Sequence, residues 1–266
     1  MLNALAESAA RIETDIAYGS GPRQKLDVYA PAAQTEPFPI VIFFFGGSWN
    51  SGSRSDYRFV GEALAARGMM AVIADYRLYP QVRYPEFLDD SAKAAVWAIA
   101  NAPSRGGDPR RIFVMGHSAG AYNAAMLALD PRWMTKAGSS PKAFAGFIGL
   151  AGPYDFLPIE NPDVKPVFFH PNSPPDSQPI LYAGAASPRS FVAAAETDKV
   201  VNPERNARQL ADKLSAAGVA VVYKRYPRVS HVTLIGTMAR PLRWLAPVLD
   251  DVDAFVRGTT AEARPR

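Results

Sequence analysis

The sequence predicts an α/β fold, in which a mostly parallel sheet of about eight strands is flanked by helices. Short apolar runs alternate along the chain with segments whose apolar residues recur at helical spacing. The run 40–45 is continuously apolar and lies between a proline and two glycines, as is typical of a strand buried on both faces. Such alternation implies parallel strands joined by right-handed helical crossovers.

The first four elements illustrate the pattern. Residues 24–31 alternate apolar and polar side chains, which predicts a half-buried strand. Residues 39–45 predict a buried strand. Residues 57–68 have helical spacing and end on a glycine, a common helix terminator. Residues 69–78 are apolar again and predict the next buried strand.

The middle of the chain continues in the same way. Residues 87–104 predict a helix with two aspartates in its first turn, where the helix dipole favours them. Apolar runs predict strands at 111–116 and 143–152, with a helix at 121–130 between them.

The last elements complete the prediction. Residues 190–196 and 219–227 read as strands. The helix predicted between them, at 203–218, opens on a proline and closes on a glycine. Residues 242–257 predict a final helix.

One segment, 153–179, interrupts this rhythm. It holds eight of the 24 prolines of the chain and is too long for a simple connection. It is either a surface loop or a lid inserted over an active site. With that insertion inside it, the whole chain, 1–266, is expected to form one domain.

Composition excludes several classes of protein. The chain lacks cysteine, so it has no disulfide or thiolate metal site. The net charge is +4, but the basic residues are scattered, which favours a solvated surface over nucleic-acid binding. No apolar run approaches the 18 or so residues of a membrane span, and the N-terminus does not resemble a signal peptide, so a cytoplasmic location is expected. No phosphate-binding loop or metal-ligand cluster is visible, and no cofactor or metal is predicted.

The stretch VMGHSAGAY, at 114–122, carries the clearest chemical signal. Gly116, Ser118 and Gly120 match the pattern G-x-S-x-G, between a predicted strand and a predicted helix. In that context the serine stands on a tight turn with a helix N-terminus beneath it, which favours negative charge. The pattern therefore predicts that Ser118 is a nucleophile.

A serine nucleophile needs a base and an orienting carboxylate. Of three histidines, His117 lies inside the turn and His170 in the proline-rich segment, whereas His231 follows the last predicted strand. His231 is therefore the expected base. The loop after the preceding strand supplies Asp198 as the expected acid, with Glu196 as the alternative.

These residues, in the order Ser118, Asp198, His231, resemble an α/β-hydrolase of the esterase/lipase class, close to carboxylesterases and kynurenine-formamidase-like hydrolases. The resemblance runs from YGSGPRQKLDVYAP to the last helix. It also includes the stretches FGGSW, ADYRLYPQVRYPEFLDD, ETDKVV and VSHVTL.

The resemblance also explains the two glycines after the apolar run. Such proteins carry His-Gly-Gly-x-Trp where this chain has Phe45 to Trp49. It implies an oxyanion hole made of the N–H groups of Gly47, Ser48 and Ala119, with Gly46 permitting the turn. Phe45 replaces the histidine, whose hydrogen bonds it cannot make, and packing against Trp49 is expected to hold the loop instead.

The sequence thus predicts a serine hydrolase that cleaves short-chain carboxylic esters through an acyl-serine intermediate. Its expected partner is a small-molecule ester, with no nucleic acid or membrane span, and the chain is expected to be a monomer or homodimer. An arylformamidase would use identical machinery. A non-catalytic homologue that binds ligands and a peptidase of the prolyl-oligopeptidase type are the remaining alternatives.

Overall fold

The computed structural model describes Asn3 and residues 10–32 and 37–258, and its centre is an eight-stranded sheet. The strands are β1 (Ala10–Ala17), β2 (Lys25–Pro31), β3 (Phe38–Phe44), β4 (Met70–Ala74), β5 (Gly107–His117), β6 (Gly146–Leu150), β7 (Ser190–Ala195) and β8 (Val221–Tyr226). Their order in the sheet is β1-β2-β4-β3-β5-β6-β7-β8. β2 pairs antiparallel with β1 and β4, and every other pair is parallel.

Seven α-helices accompany the sheet in the described part of the chain. They are α1 (Arg58–Ala66), α2 (Glu86–Asn101), α3 (Ala119–Leu129), α4 (Pro131–Lys136), α5 (Gln209–Ala216), α6 (His231–Gly236) and α7 (Val248–Arg257). This mostly parallel sheet with flanking helices confirms the predicted fold class.

The centre of the sheet is the centre of the core. All seven residues of β3 and all five of β4 and of β6 are buried. Burying one large aliphatic or aromatic side chain stabilises a fold by roughly 1.5–3 kcal/mol, so these strands dominate the stabilising contacts. Because β3, β5, β6, β7 and β8 run parallel, the loops after their carboxyl ends meet at one edge of the sheet.

Several elements differ from the sequence-based predictions. β1 was not predicted, because it is an edge strand whose side chains from 11 to 17 are mostly exposed and show no buried face. β4 ends at Ala74 rather than at 78, and α7 begins at Val248 rather than at 242. The six-residue helices α4 and α6 are too short to show helical periodicity and were missed.

The proline-rich segment 153–179 contains no strand or α-helix, but it is well anchored. Phe168 is fully buried, with its ring 4.9 Å from that of Trp49 and 5.2 Å from that of Phe156. Asn206 accepts hydrogen bonds from the main-chain N–H groups of Tyr154 and Asp155, at 2.6 and 2.8 Å. The segment is therefore tied both to the aromatic core and to the turn before α5.

Within residues 10–32 and 37–258, none of the helices combines the length and the apolar character that crossing a lipid bilayer requires.

Candidate active site

Ser118 stands on a sharp turn between β5 and α3. Its φ of 54° and ψ of −123° lie outside the backbone regions that non-glycine residues favour, which marks a strained turn. A Cβ on Gly116 would lie 2.1 Å from the carbonyl oxygen of Gly120, and one on Gly120 would lie 2.0 Å from that of Phe44. Only glycine fits at these two positions, and so the spacing G-x-S-x-G is a packing requirement.

His231 is the first residue of α6, in the loop region after β8. Its Nε2 lies 2.9 Å from Ser118 Oγ. A capping box fixes the start of this short helix: Thr233 N–H donates to Ser230 Oγ at 3.2 Å, and Ser230 N–H donates to Thr233 Oγ1 at 2.7 Å. The imidazole therefore extends from a defined helix start towards the strained turn.

Asp198 follows β7 and lies on the other side of the imidazole. One carboxylate oxygen lies 2.7 Å from His231 Nδ1, and the other accepts the N–H groups of Val200 and Val201 at 2.8 and 3.0 Å. Burial acts to raise the pKa of the Asp198 carboxyl, but the hydrogen bond and charge of His231 and the two N–H groups outweigh it and hold that pKa below its ordinary value. Asp198 is therefore an ionised partner for the imidazole.

The alternative residues lie elsewhere. Glu196 is exposed, so the structure brings Asp198 rather than Glu196 to the imidazole. His170 is exposed within segment 153–179. His117 is buried, and its Nε2 lies 2.9 Å from the main-chain oxygen of His231.

The loop after β3 passes close to the serine in an unusual backbone conformation. Gly47, Ser48 and Trp49 have φ values of 128°, 51° and 57°, all in the left-handed region. Gly47 must be glycine, because a Cβ there would lie 2.3 Å from the carbonyl oxygen of Ser51. Of the four residues expected around the oxyanion, Ser48 and Ala119 line the cavity beside Ser118, and Gly46 and Gly47 are not part of its lining.

Aromatic packing holds this loop. The ring of Phe45 is fully buried and stacks on those of Tyr76 and Tyr57, with centroids 4.6 and 5.9 Å away. Tyr76 also donates a hydrogen bond from its hydroxyl to the main-chain oxygen of Phe45, at 2.7 Å. The expected packing of Phe45 on Trp49 is thus replaced by packing on two tyrosines. Trp49 instead donates from Nε1 to Asn123 Oδ1 at 2.9 Å.

A cavity of about 210 Å³ opens at Ser118. Its apolar lining includes Trp49 and Phe156, together with Ile159 and Val164 from the proline-rich segment. Of the aromatic residues in that segment, Phe156 therefore lines the cavity, while the buried Phe168 anchors the segment.

The cavity also has a polar side. Arg205 lines it and lies 3.3 Å from a carboxylate oxygen of Asp155, and it donates a second hydrogen bond to the main-chain oxygen of Leu157. Glu160 contributes another carboxylate to the lining. The cavity can thus accommodate a small group with both apolar and hydrogen-bonding parts.

Sequence reasoning missed two contributors to this site. Asn123 holds Trp49 in place from within α3, and the only available signal was a lone amide in the otherwise apolar stretch AYNAAMLAL. Arg205 offered no signal, because an arginine in the first turns of a helix is normally a surface residue.

Comparisons with known proteins place the chain in a family. The model of the BD-FAE family matches residues 26–214, more than half of the chain. The chain is 30% identical to esterase LipC of Mycobacterium tuberculosis over 81% of its own length and 58% of that protein. It is 29% identical to a kynurenine formamidase of Danio rerio, over 86% of this chain and 78% of that one.

Other curated relatives are much longer. The chain spans 36% of the length of two probable isoprenylcysteine α-carbonyl methylesterases of rice. Among solved structures, an esterase from Pyrobaculum calidifontis superimposes with a TM-score of 0.78 at 24% identity, covering 97% of this chain and 88% of that one. The chain belongs to the BD-FAE family and has the α/β-hydrolase fold.

Proposed function

We propose that this protein hydrolyses short-chain carboxylic esters through an acyl-serine intermediate, with Ser118, His231 and Asp198 as its catalytic triad. One observation carries the proposal. The contacts of 2.9 Å from Ser118 Oγ to His231 Nε2 and of 2.7 Å from His231 Nδ1 to Asp198 form a continuous relay that ends in the cavity. Nucleophile, base and orienting acid are thus within hydrogen-bonding reach of one another, as acyl transfer requires.

The reaction would run in two halves. His231 takes the proton of Ser118 as the oxygen attacks the ester carbonyl, and then gives that proton to the departing alcohol. Water attacks the acyl-serine in the second half. His231 accepts a proton from this water and returns it to Ser118 Oγ as the carboxylic acid leaves. Asp198 keeps Nδ1 protonated throughout, so that Nε2 is free to act as the base.

The negative charge that develops on the carbonyl oxygen needs fixed donors. We assign this role to the main-chain N–H groups of Gly47, Ser48 and Ala119, with Gly46 permitting the turn. The cavity lining favours Ser48 and Ala119 as the groups that face the substrate. Removing one such donor from a serine hydrolase typically costs roughly 2.7–4 kcal/mol of transition-state stabilisation.

The size of the cavity supports a small acyl or alcohol group. About 210 Å³ lies below the roughly 300–1,000 Å³ of sites for drug-sized ligands. We further propose that the chain forms one domain in which segment 153–179 is a small lid. Residues 153–164 of that segment supply much of the cavity wall.

Substituting the nucleophile tests the mechanism. Ser118→Ala should lower kcat on p-nitrophenyl acetate by on the order of 10⁶ and abolish labelling by a fluorophosphonate, while the thermal melt stays close to wild type. Ser104→Ala is the matched control, because Ser104 is exposed at the opposite end of β5. A Ser118→Ala protein that keeps more than a few per cent of the activity would contradict the proposal. A wild-type protein that does not react with the probe would indicate a non-catalytic homologue.

Hydrolysis of an aryl formamide is the second candidate. The similarity to a kynurenine formamidase over 86% of the chain favours it, as does the polar side of the cavity formed by Asp155, Glu160 and Arg205. Comparing kcat/KM on N-formylkynurenine with that on p-nitrophenyl esters of increasing chain length separates the two candidates. A clear preference for the formamide would replace the ester as the main substrate.

A further inference from the structure

His117, the residue directly before Ser118, makes a contact that the triad does not explain. Its Nε2 lies 2.9 Å from the main-chain oxygen of His231, and the two imidazole rings are 5.1 Å apart. A carbonyl oxygen can only accept a hydrogen bond, so His117 must donate from Nε2 and leave Nδ1 unprotonated. Nδ1 is buried and has no hydrogen-bond partner among the described residues.

The position of His117 makes this bond mechanically important. His117 is the last residue of β5, so its backbone is fixed in the middle of the sheet. His231 begins a helix of only six residues, so its backbone is not held by strand pairing in the sheet. The hydrogen bond therefore joins the strand that carries the nucleophile to the backbone of the residue opposite it.

On its other side, His117 borders the loop after β3. A Cβ placed on Gly46 would lie 3.1 Å from His117 Nδ1 and 2.9 Å from Ser118 Cβ. The same imidazole thus packs against the loop proposed to hold the oxyanion and bonds to the segment that carries the base.

We propose that His117 is a positioning residue, whose bond to the main chain of His231 sets the distance between Ser118 Oγ and His231 Nε2. The proposal rests on the proposed function, since it assigns a role to His117 only if Ser118 and His231 react together. His117 touches neither substrate nor reacting atoms. It acts by holding the backbone of His231, while Asp198 orients the imidazole ring.

A neutral His117 suits this role. Burial first, and then the nearby charge of His231, lower the pKa of His117 to about 3. The N–H donor at Nε2 and the unprotonated Nδ1 therefore stay as they are over the whole pH range in which an esterase would be assayed. His117 adds no second titrating charge beside the base.

Three variants test the proposal. His117→Gln places an amide N–H at nearly the reach of Nε2, His117→Met has a similar length but no donor, and His117→Asn keeps a polar group that is too short to reach the His231 carbonyl. We expect His117→Gln to stay within about threefold of the wild-type kcat. The Met and Asn variants should lose about 10- to 100-fold in kcat with little change in KM, because a catalytic group displaced by about 1 Å can cost 10²-fold.

The rate of labelling by a fluorophosphonate should fall in parallel with kcat, since it depends on the same contact between Ser118 and His231. Equal kcat in the Gln, Met and Asn variants would overturn the proposal. So would Met and Asn variants that fail to fold while the Gln variant folds, because the bond would then support the fold rather than the base. If Ser118→Ala kept its activity, the proposed function itself would fail, whatever the His117 variants show.

Discussion

Replacing Gly46 by alanine should slow the reaction without unfolding the protein, because it separates the proposed oxyanion loop, residues 46–48, from the proposed nucleophile Ser118. The new Cβ would lie 2.9 Å from Ser118 Cβ and 3.0 Å from the main-chain oxygen of His117, whereas ordinary contacts begin at 3.4 Å. Neither neighbour is the free end of a flexible side chain. The loop and the turn at Ser118 must therefore move apart by about 0.5 Å, the difference between 3.4 and 2.9 Å.

The size of the effect follows from this displacement. If a shift of about 1 Å in a catalytic group costs on the order of 10²-fold, half of it should cost about tenfold in kcat. KM should change little, because oxyanion donors bind the transition state more strongly than the ground state.

The assay is steady-state hydrolysis of p-nitrophenyl acetate, with a thermal melt of each variant. Gly184→Ala is the matched control, since no heavy atom of the described residues, apart from its chain neighbours, lies within 4 Å of a Cβ at that position and its backbone is not left-handed. It should keep the wild-type kcat. A Gly46→Ala protein within twofold of wild type in kcat, or one whose defect is entirely in KM, would refute the reasoning.

Three further predictions concern the acid, the aromatic support and pH. Asp198→Asn should lower kcat by roughly 10⁴, because the imidazole loses its correct tautomer. Glu196→Gln should have little effect. Steady-state kinetics that reverse this ranking would make Glu196 the acid. Phe45→Ala should lower the free energy of unfolding by roughly 3–5 kcal/mol, as measured by denaturant titration. Phe169 is exposed, so Phe169→Ala should lower it far less. Equal losses in the two variants would contradict the packing described for Phe45. The pKa of His117 falls from 6.5 in the unfolded chain to about 3 in the folded one. Between pH 6.5 and about 3 the unfolded chain therefore binds more protons than the folded one, and stability is lost as the pH falls through that window. His117→Gln should lose less stability than wild type between pH 6.5 and about 4.5 in pH-dependent melts, and parallel curves would show that His117 titrates normally.

The central sheet could be predicted from the sequence because its strands are buried on both faces. A strand such as β3, with all seven residues buried, appears as an uninterrupted apolar run, and the glycines after it mark where it ends. β1 lacks this signal, since it pairs only with β2 and most of its side chains face solvent. Its pairing is decided by main-chain hydrogen bonds, which leave no pattern in the side chains.

The candidate site was predictable where strand order alone determines it. Ser118, Asp198 and His231 each follow a parallel strand, so their meeting at one edge follows from the fold. The choice between Asp198 and Glu196 does not, because both follow β7 and only the path of the backbone turns one of them towards the imidazole. The pairing of Trp49 with Asn123, 74 residues apart, leaves no local signal either.

Phe45 also changes which solution conditions affect the proposed oxyanion loop, residues 46–48. Where the sequence resemblance implies a histidine under the loop, this chain has a stack of three rings and one phenolic hydroxyl that donates to a main-chain oxygen. Burial raises the pKa of Tyr76 well above its ordinary value, which favours the protonated hydroxyl. The protonation state of the aromatic rings under the loop therefore does not follow the pH as that of a histidine would. Because hydrophobic contacts weaken on cooling, the packing of these rings under the loop is sensitive to temperature instead.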